Sequence, residues 1–257
     1  MIKNKHTPFE FKNGNLHVPV KYKEAFIDDE RPTSFSPKNY EYYRQLLASY
    51  YWMDCWYRNQ DWTIPSEKIG ECTIINNNIV CDIDESSSKF EKVFIRLNSV
   101  SPKDVEVKKD KVYDLITESK RCISSINMAT SIQRPIYIYS RKWVDLSKGC
   151  EFRIFVYNMR IVAISSSDNK ICELNNSEII QRCHRLFTKC KFDIPLPDIC
   201  IDVWLCDKFS DRDIVIEFNS YGSWGNSSSE LFDWQEDCIL FAGLANDIEI
   251  RRNPSYE

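Results

Sequence analysis

Three oxygen-bearing side chains, Asp202, Glu217 and Asn219, lie on two short segments of alternating apolar residues, 200–206 (CIDVWLC) and 213–219 (DIVIEFN). The turn-rich KFSDRD lies between them, so the pair is expected to form a β-hairpin. A period of two puts Ile201, Val203 and Leu205 on one face and Asp202 with Trp204 on the other. In the second strand it puts Ile214, Ile216 and Phe218 on one face and Glu217 with Asn219 opposite. The three oxygens can then converge over one sheet face. Carboxylate and amide oxygens suit a hard divalent cation such as magnesium, which shares its remaining positions with phosphates. An antiparallel hairpin that simply wets one polar face has the same pattern, and the spacing leaves both readings open.

A second constellation is GCEFRIFVYN, where Glu151, Arg153, Phe155 and Tyr157 share one strand face and Phe152, Ile154 and Val156 the other. By itself an acid two residues from an arginine reads as a surface ion pair of little energetic weight. In VFIRLNSVSPKDV, Arg96 sits on a strand and Ser99, Ser101, Lys103 and Asp104 follow in a loop; cations and hydroxyls of this kind can hold phosphate oxygens. Neither of the standard glycine-rich phosphate loops occurs, and the chain has only 6 glycines, so a nucleotide would have to be held by side chains and strands.

The elements that must position these residues follow from patterning. Asn13-Gly14 marks an N-terminal hairpin, and RPTSFSP precedes a helix expected over 39–59. Strands are expected at 72–75, 79–83, 92–97, 136–140, 151–158 and 161–166, and helices at 111–126 and 177–190. The mixed order with mainly antiparallel pairing predicts an α+β fold of two lobes, about 1–135 and 136–257.

The chain of 257 residues is long enough for a substantial core, and its net charge of -4 gives no footprint for general nucleic-acid binding. With three histidines, His6, His17 and His184, histidine-based metal or triad chemistry is a poor fit. No run of 18 apolar residues is present and the N-terminus lacks an apolar signal core, so no membrane span and a cytoplasmic location are expected. The 11 cysteines are odd in number and contain no CxxC, which predicts reduced, structural thiols.

Taken in order, RLNSVSPKD, RKWV, GCEFRIFV, AISS, IDVWL, IEFN and LFDWQE resemble the cell division cycle protein 123 family over most of the chain, from about residue 39 to 240. The resemblance implies an ATP-grasp fold with two lobes around a nucleotide cleft, ATP and Mg2+ as ligands, and action as an assembly chaperone for eukaryotic translation initiation factor 2 through its gamma subunit. By the same resemblance Arg96 stands at the basic position that reaches the phosphates, followed by Ser101, Lys103 and Asp104. Arg141, Lys142 and Trp143 match the segment whose backbone faces adenine. Glu151 and Arg153 match the EFR motif, whose arginine points to the phosphates, and Asp202, Glu217 and Asn219 match the magnesium ligands.

The chain departs from the family pattern at several positions. Glu217 stands where aspartate is usual, Ser220 where proline follows the asparagine, and Ser165, Ser166, Ser167 and Asp168 where the family reads Ser-Gln-Arg-Asp. The lost arginine and the polar NSYGSWGNSSS stretch, whose serines could flank a substrate, leave room for an ATP-grasp ligase joining a carboxylate to a nucleophile, and the lost arginine with the Glu217 substitution leaves room for a docking module without nucleotide.

Overall fold

The computed structural model of the chain describes residues 10–12, 15–17, 61–84, 88–98, 100–105, 111–131, 136–194, 197–219, 221 and 228–253. The helix expected over 39–59 lies outside the described residues. The N-terminal hairpin signal is matched by β1 (Glu10–Lys12) and β2 (Asn15–His17), paired antiparallel on either side of Asn13-Gly14. The rest of the described chain divides into two compact units, one of residues 64–144 and one of residues 61–63 with 145–253.

The first unit is a four-stranded antiparallel sheet of β3 (Ser66–Ile75), β4 (Asn78–Ile83), β5 (Val93–Leu97) and β6 (Ile136–Lys142), in the order β4-β3-β6-β5. Asn76 and Asn77 close the first hairpin with φ of 50° and 64°, the two left-handed residues of a type I′ turn, whose twist matches that of the strands. The expected single helix is two: α1 (Val112–Glu118) and α2 (Lys120–Ser131). Ser119 breaks it. Its backbone is extended, its hydroxyl donates to Asp104 Oδ1 at 2.6 Å, and Cys122 N–H donates to that hydroxyl at 3.1 Å, so a buried serine caps α2 instead of continuing α1. Leu97, Ile116, Cys122, Ile126, Ile136 and Ile138 are fully buried in this unit.

The second unit is a five-stranded sheet of β7 (Gly149–Tyr157), β8 (Arg160–Ser166), β9 (Ile199–Cys206), β10 (Ile214–Asn219) and β11 (Glu249–Arg251), ordered β10-β9-β7-β8-β11. Among its described strands β11, parallel to β8, departs from antiparallel pairing, and Thr63 adds an isolated parallel bridge to Val215. Every residue of β9, the strand between β10 and β7, is buried. The long helix α3 (Asn176–Cys190) starts with a capping box: Glu178 N–H donates to Asn175 Oδ1 and Asn175 N–H to Glu178 Oε2, both at 3.0 Å. Its inner stripe, Ile179, Cys183, Leu186 and Cys190, recurs at helical spacing.

Arg182 on that stripe is also buried, and its guanidinium grips both oxygens of Asp213 at the foot of β10. Arg185 reaches the same carboxylate at 2.6 Å and Cys206 N–H donates to it at 3.0 Å, so one buried acid fastens the helix to the β9–β10 hairpin. Residues 61–63 return along β10: Val215 N–H donates to Trp62 O at 2.7 Å, and the Trp62 and Phe218 rings meet edge-on. A second aromatic cluster, with Phe155, Phe232 and Phe241 buried and Tyr221 and Trp234 against them, packs beside Ala163 and Cys200.

Candidate functional site

Strand register decides which side chains meet. On β10 and β9 the partners are Glu217 with Asp202 and Asn219 with Cys200; on β7 and β9 they are Arg153 with Asp202 and Glu151 with Trp204. Arg153 also faces Ser165 on β8, which faces Arg251 on β11. Residues paired across strands share a face. One transverse row, Glu217, Asp202, Arg153, Ser165 and Arg251, therefore runs over all five strands, with Asn219 one position along. The hairpin places the three expected oxygen donors on one face.

The apolar alternation of β10 differs from the expected one. Val215 pairs with Val203 and Phe218 with Ile201, and a bulge at Ile216 lies between them. Val215 and Phe218 are thus the buried core residues of this strand, while Ile214 and Ile216 are half-buried. The extra residue restores Glu217 to the Asp202 side, which a strict period of two from Ile214 reaches only by putting Ile214 on the wrong face.

Arg153 is the hub of the row. Its Nε and Nη2 each donate to one oxygen of Asp202 at 2.7 Å, a bidentate pair with both side chains about nine-tenths buried. Its Nη1 donates to Ser228 O and to Glu230 Oε1, each at 2.8 Å. Asn219 Nδ2 adds a bond to Asp202 Oδ2 at 2.9 Å. Burial works against the Arg153 charge, but the Asp202 hydrogen bonds and charge outweigh it and the guanidinium pKa is raised. Glu230 responds in the opposite sense: burial, reinforced by Asp202 and only partly offset by Arg153, raises its carboxyl pKa above 4.5.

Glu230 carries no signal in the sequence beyond being an acid between a serine run and Leu231-Phe232. It is brought in by its backbone, which takes a left-handed φ of 56°, uncommon for glutamate. The flanking residues tie it down: Leu231 N–H donates to Ser165 Oγ at 3.1 Å, and Phe232 is buried against Phe155 under the Arg251 guanidinium. Arg251 in turn forms a bidentate pair with Asp237. Glu151 is half-buried at the upper end of the face, its N–H donating to Asp168 Oδ2 at 3.1 Å. Gly149 precedes it because a Cβ there would lie 2.3 Å from Leu205 O and 2.7 Å from the Trp204 indole.

Among the described residues no three Asp, Glu, His or Cys side chains are gathered closely enough to hold a metal ion; the expected set is two carboxylates, Asp202 and Glu217, with the Asn219 amide, donor types that suit a hard divalent cation. Both Asp202 oxygens accept from Arg153, and Oδ2 also accepts from Asn219, so a cation on Asp202 would share its oxygens with these donors or displace them.

The other sequence-derived residues lie in the first unit. Arg96 and Arg141 are buried on neighbouring strands, and the register Phe94 with Arg141 and Arg96 with Tyr139 puts both on one face of that sheet. Arg96 Nε donates to Leu97 O at 3.1 Å. Ser101 is buried, its carbonyl accepting from Lys103 N–H, while the Lys103, Lys142 and Trp143 side chains are exposed. Asp104 is engaged by Ser119 and by Arg121 N–H at the start of α2, bonds that hold its carboxyl below the usual range.

Comparison with known proteins agrees with the motifs. The D123 family model matches residues 109–252. A putative CDC123-like protein of Acanthamoeba polyphaga mimivirus is 32% identical over 278 residues, covering 93% of this chain and 82% of the relative. The structure of C-terminally truncated Cdc123 from Schizosaccharomyces pombe superimposes with a TM-score of 0.60 at 18% identity, covering 81% of this chain and 97% of that one. A second Cdc123 structure from the same yeast gives 0.53 at 23% identity over 63% of this chain and 72% of that chain. The fold is therefore the one those structures have, and the α+β class expected from the sequence is the class found.

Proposed function

The chain belongs to the D123 family, that of cell division cycle protein 123, and from that premise we propose that it binds Mg-ATP and serves as an assembly chaperone for translation initiation factor 2 through the gamma subunit. The observation that carries the nucleotide part is the row Glu217, Asp202 and Arg153 with Asn219 beside it, an oxygen-donor set and a phosphate-seeking guanidinium on one sheet face. In this reading Asp202, Glu217 and Asn219 hold the cation. Arg153 exchanges part of its Asp202 contact for a phosphate oxygen. When bound, the magnesium ion neutralises phosphate charge.

The exchange gives ATP a defined role as a conformational ligand. In this reading Mg-ATP favours a state in which the Arg153–Asp202–Glu230 contacts are loosened, and a partner that recognises that state is bound more tightly when nucleotide is present. The chaperone part rests on family membership.

Two measurements on the purified full chain test the proposal. Calorimetric titration should give ATP binding that requires magnesium. Capture of the initiation-factor gamma subunit should be strengthened by Mg-ATP. Absence of nucleotide binding with capture intact would leave the docking-module reading. ADP and phosphate release that depends on a small acceptor would favour the ligase.

A further inference from the structure

The ten described cysteines are free thiols, and two of them occupy a position built for a bond between them. Cys72 on β3 and Cys81 on β4 are cross-strand partners. The hairpin is closed by a two-residue type I′ turn, so its flanking pair, Ile75 and Asn78, is the first hydrogen-bonded pair. Counting back along the ladder, alternation makes Ile74 with Ile79 and then Cys72 with Cys81 non-hydrogen-bonded pairs. The far end of the ladder confirms the phase. Asp84 N–H donates to Ile69 O at 2.8 Å, as the alternation requires of position 69.

A non-hydrogen-bonded antiparallel pair holds its Cα atoms about 4.5 Å apart with the side chains on the same face, inside the roughly 4.4–6.8 Å span of a disulfide. We propose that Cys72 and Cys81 are a thiol pair that a peroxide converts reversibly to a cross-strand disulfide. Exposure assigns the roles. Cys72 is 2% exposed, whereas Cys81, on the edge strand β4, is half-buried and accessible.

Cys81 sulfur attacks one peroxide oxygen, the O–O bond breaks, and Cys81 sulfenic acid forms with release of one water. Cys72 sulfur then attacks the Cys81 sulfur, the S–O bond breaks, and a second water leaves with the Cys72 proton. Two thiols are oxidised by two electrons and one peroxide is reduced to two waters. The interaction between the two facing thiols lowers the Cys81 pKa and raises that of Cys72, in keeping with Cys81 as the attacking thiolate. The site is independent of the nucleotide reading, since it lies on other strands and uses none of those residues.

Trypsin cuts after Lys68 and Lys89 and nowhere between, so both sulfurs fall in one peptide. The full-length chain is treated with stoichiometric hydrogen peroxide, denatured with N-ethylmaleimide and digested. The peptide 69–89 is expected to be lighter by two hydrogens and unlabelled, and to take two labels once reduced by dithiothreitol. In Cys72→Ser the oxidised Cys81 should stop as a sulfenic acid that dimedone traps. Two labels on peptide 69–89 after exposed Cys238 has been oxidised would overturn the proposal, as would a Cys81 disulfide to any other cysteine.

Discussion

Arg153→Ala removes the hub of the transverse row, and its cost can be worked from the contacts. The guanidinium makes two bonds to Asp202 and one each to Ser228 O and Glu230, all between 2.7 and 2.8 Å. The Arg153 and Asp202 side chains are 9% and 10% exposed, so solvent does little to screen the loss. Removing one partner of such a buried pair leaves the other charge uncompensated, at about 3–5 kcal/mol. Glu230, at 20%, adds less. For a domain of this size the loss corresponds to a fall in Tm of roughly 10 °C. Urea unfolding followed by circular dichroism measures it. A double-mutant cycle with Asp202→Ala should return a coupling energy of about 2 kcal/mol or more, because Asp202→Ala in the Arg153→Ala background removes a charge already stranded. A single-mutant effect within about 0.5 kcal/mol of wild type, the range of surface substitutions, would refute the placement of the guanidinium in the sheet face.

Further outcomes follow from other contacts. The folded-state carboxyl of Glu230 is raised above 4.5, so the native state binds the extra proton in the window between the unfolded and folded values. Its contribution to stability is full below about 4.5 and lost as pH rises through the folded value, so urea midpoints of Glu230→Gln should fall less than those of wild type across that window; parallel curves would contradict this. Asp213→Ala strands Arg182 and should cost about 3–5 kcal/mol by urea unfolding, with Asp213→Asn recovering part of it through the retained acceptor. Gly149→Ala forces a Cβ to within 2.3 Å of Leu205 O and should cost about 1–3 kcal/mol, read as a lower urea midpoint.

The hairpin carrying Asp202, Glu217 and Asn219 was legible because alternation and a turn are local signals. What pattern could not supply was non-local or irregular. The bulge at Ile216 reverses the apolar face of half of β10, so Val215 and not Ile214 enters the core. The helix expected over 111–126 divides at Ser119, where hydrogen bonds to Asp104 and Cys122 compete with helix continuation. Strand β11 is three residues long and pairs in parallel with β8, 86 positions earlier at Glu249 with Ala163, which no window of sequence reveals. Glu230 enters the Arg153 cluster through a left-handed backbone residue and the burial of Phe232, both properties of the folded chain. The thiols were read as structural, and only the register shows that two of them face each other.

The most direct test of the central claim is calorimetric titration of ATP into the wild-type chain and Asp202→Ala at matched magnesium, with circular dichroism verifying that the variant is folded. The account predicts magnesium-dependent binding to wild type and its loss in the variant, since Asp202 joins the cation donors to the Arg153 hub. Undiminished affinity in a folded Asp202→Ala would contradict it and move the nucleotide site away from this sheet face.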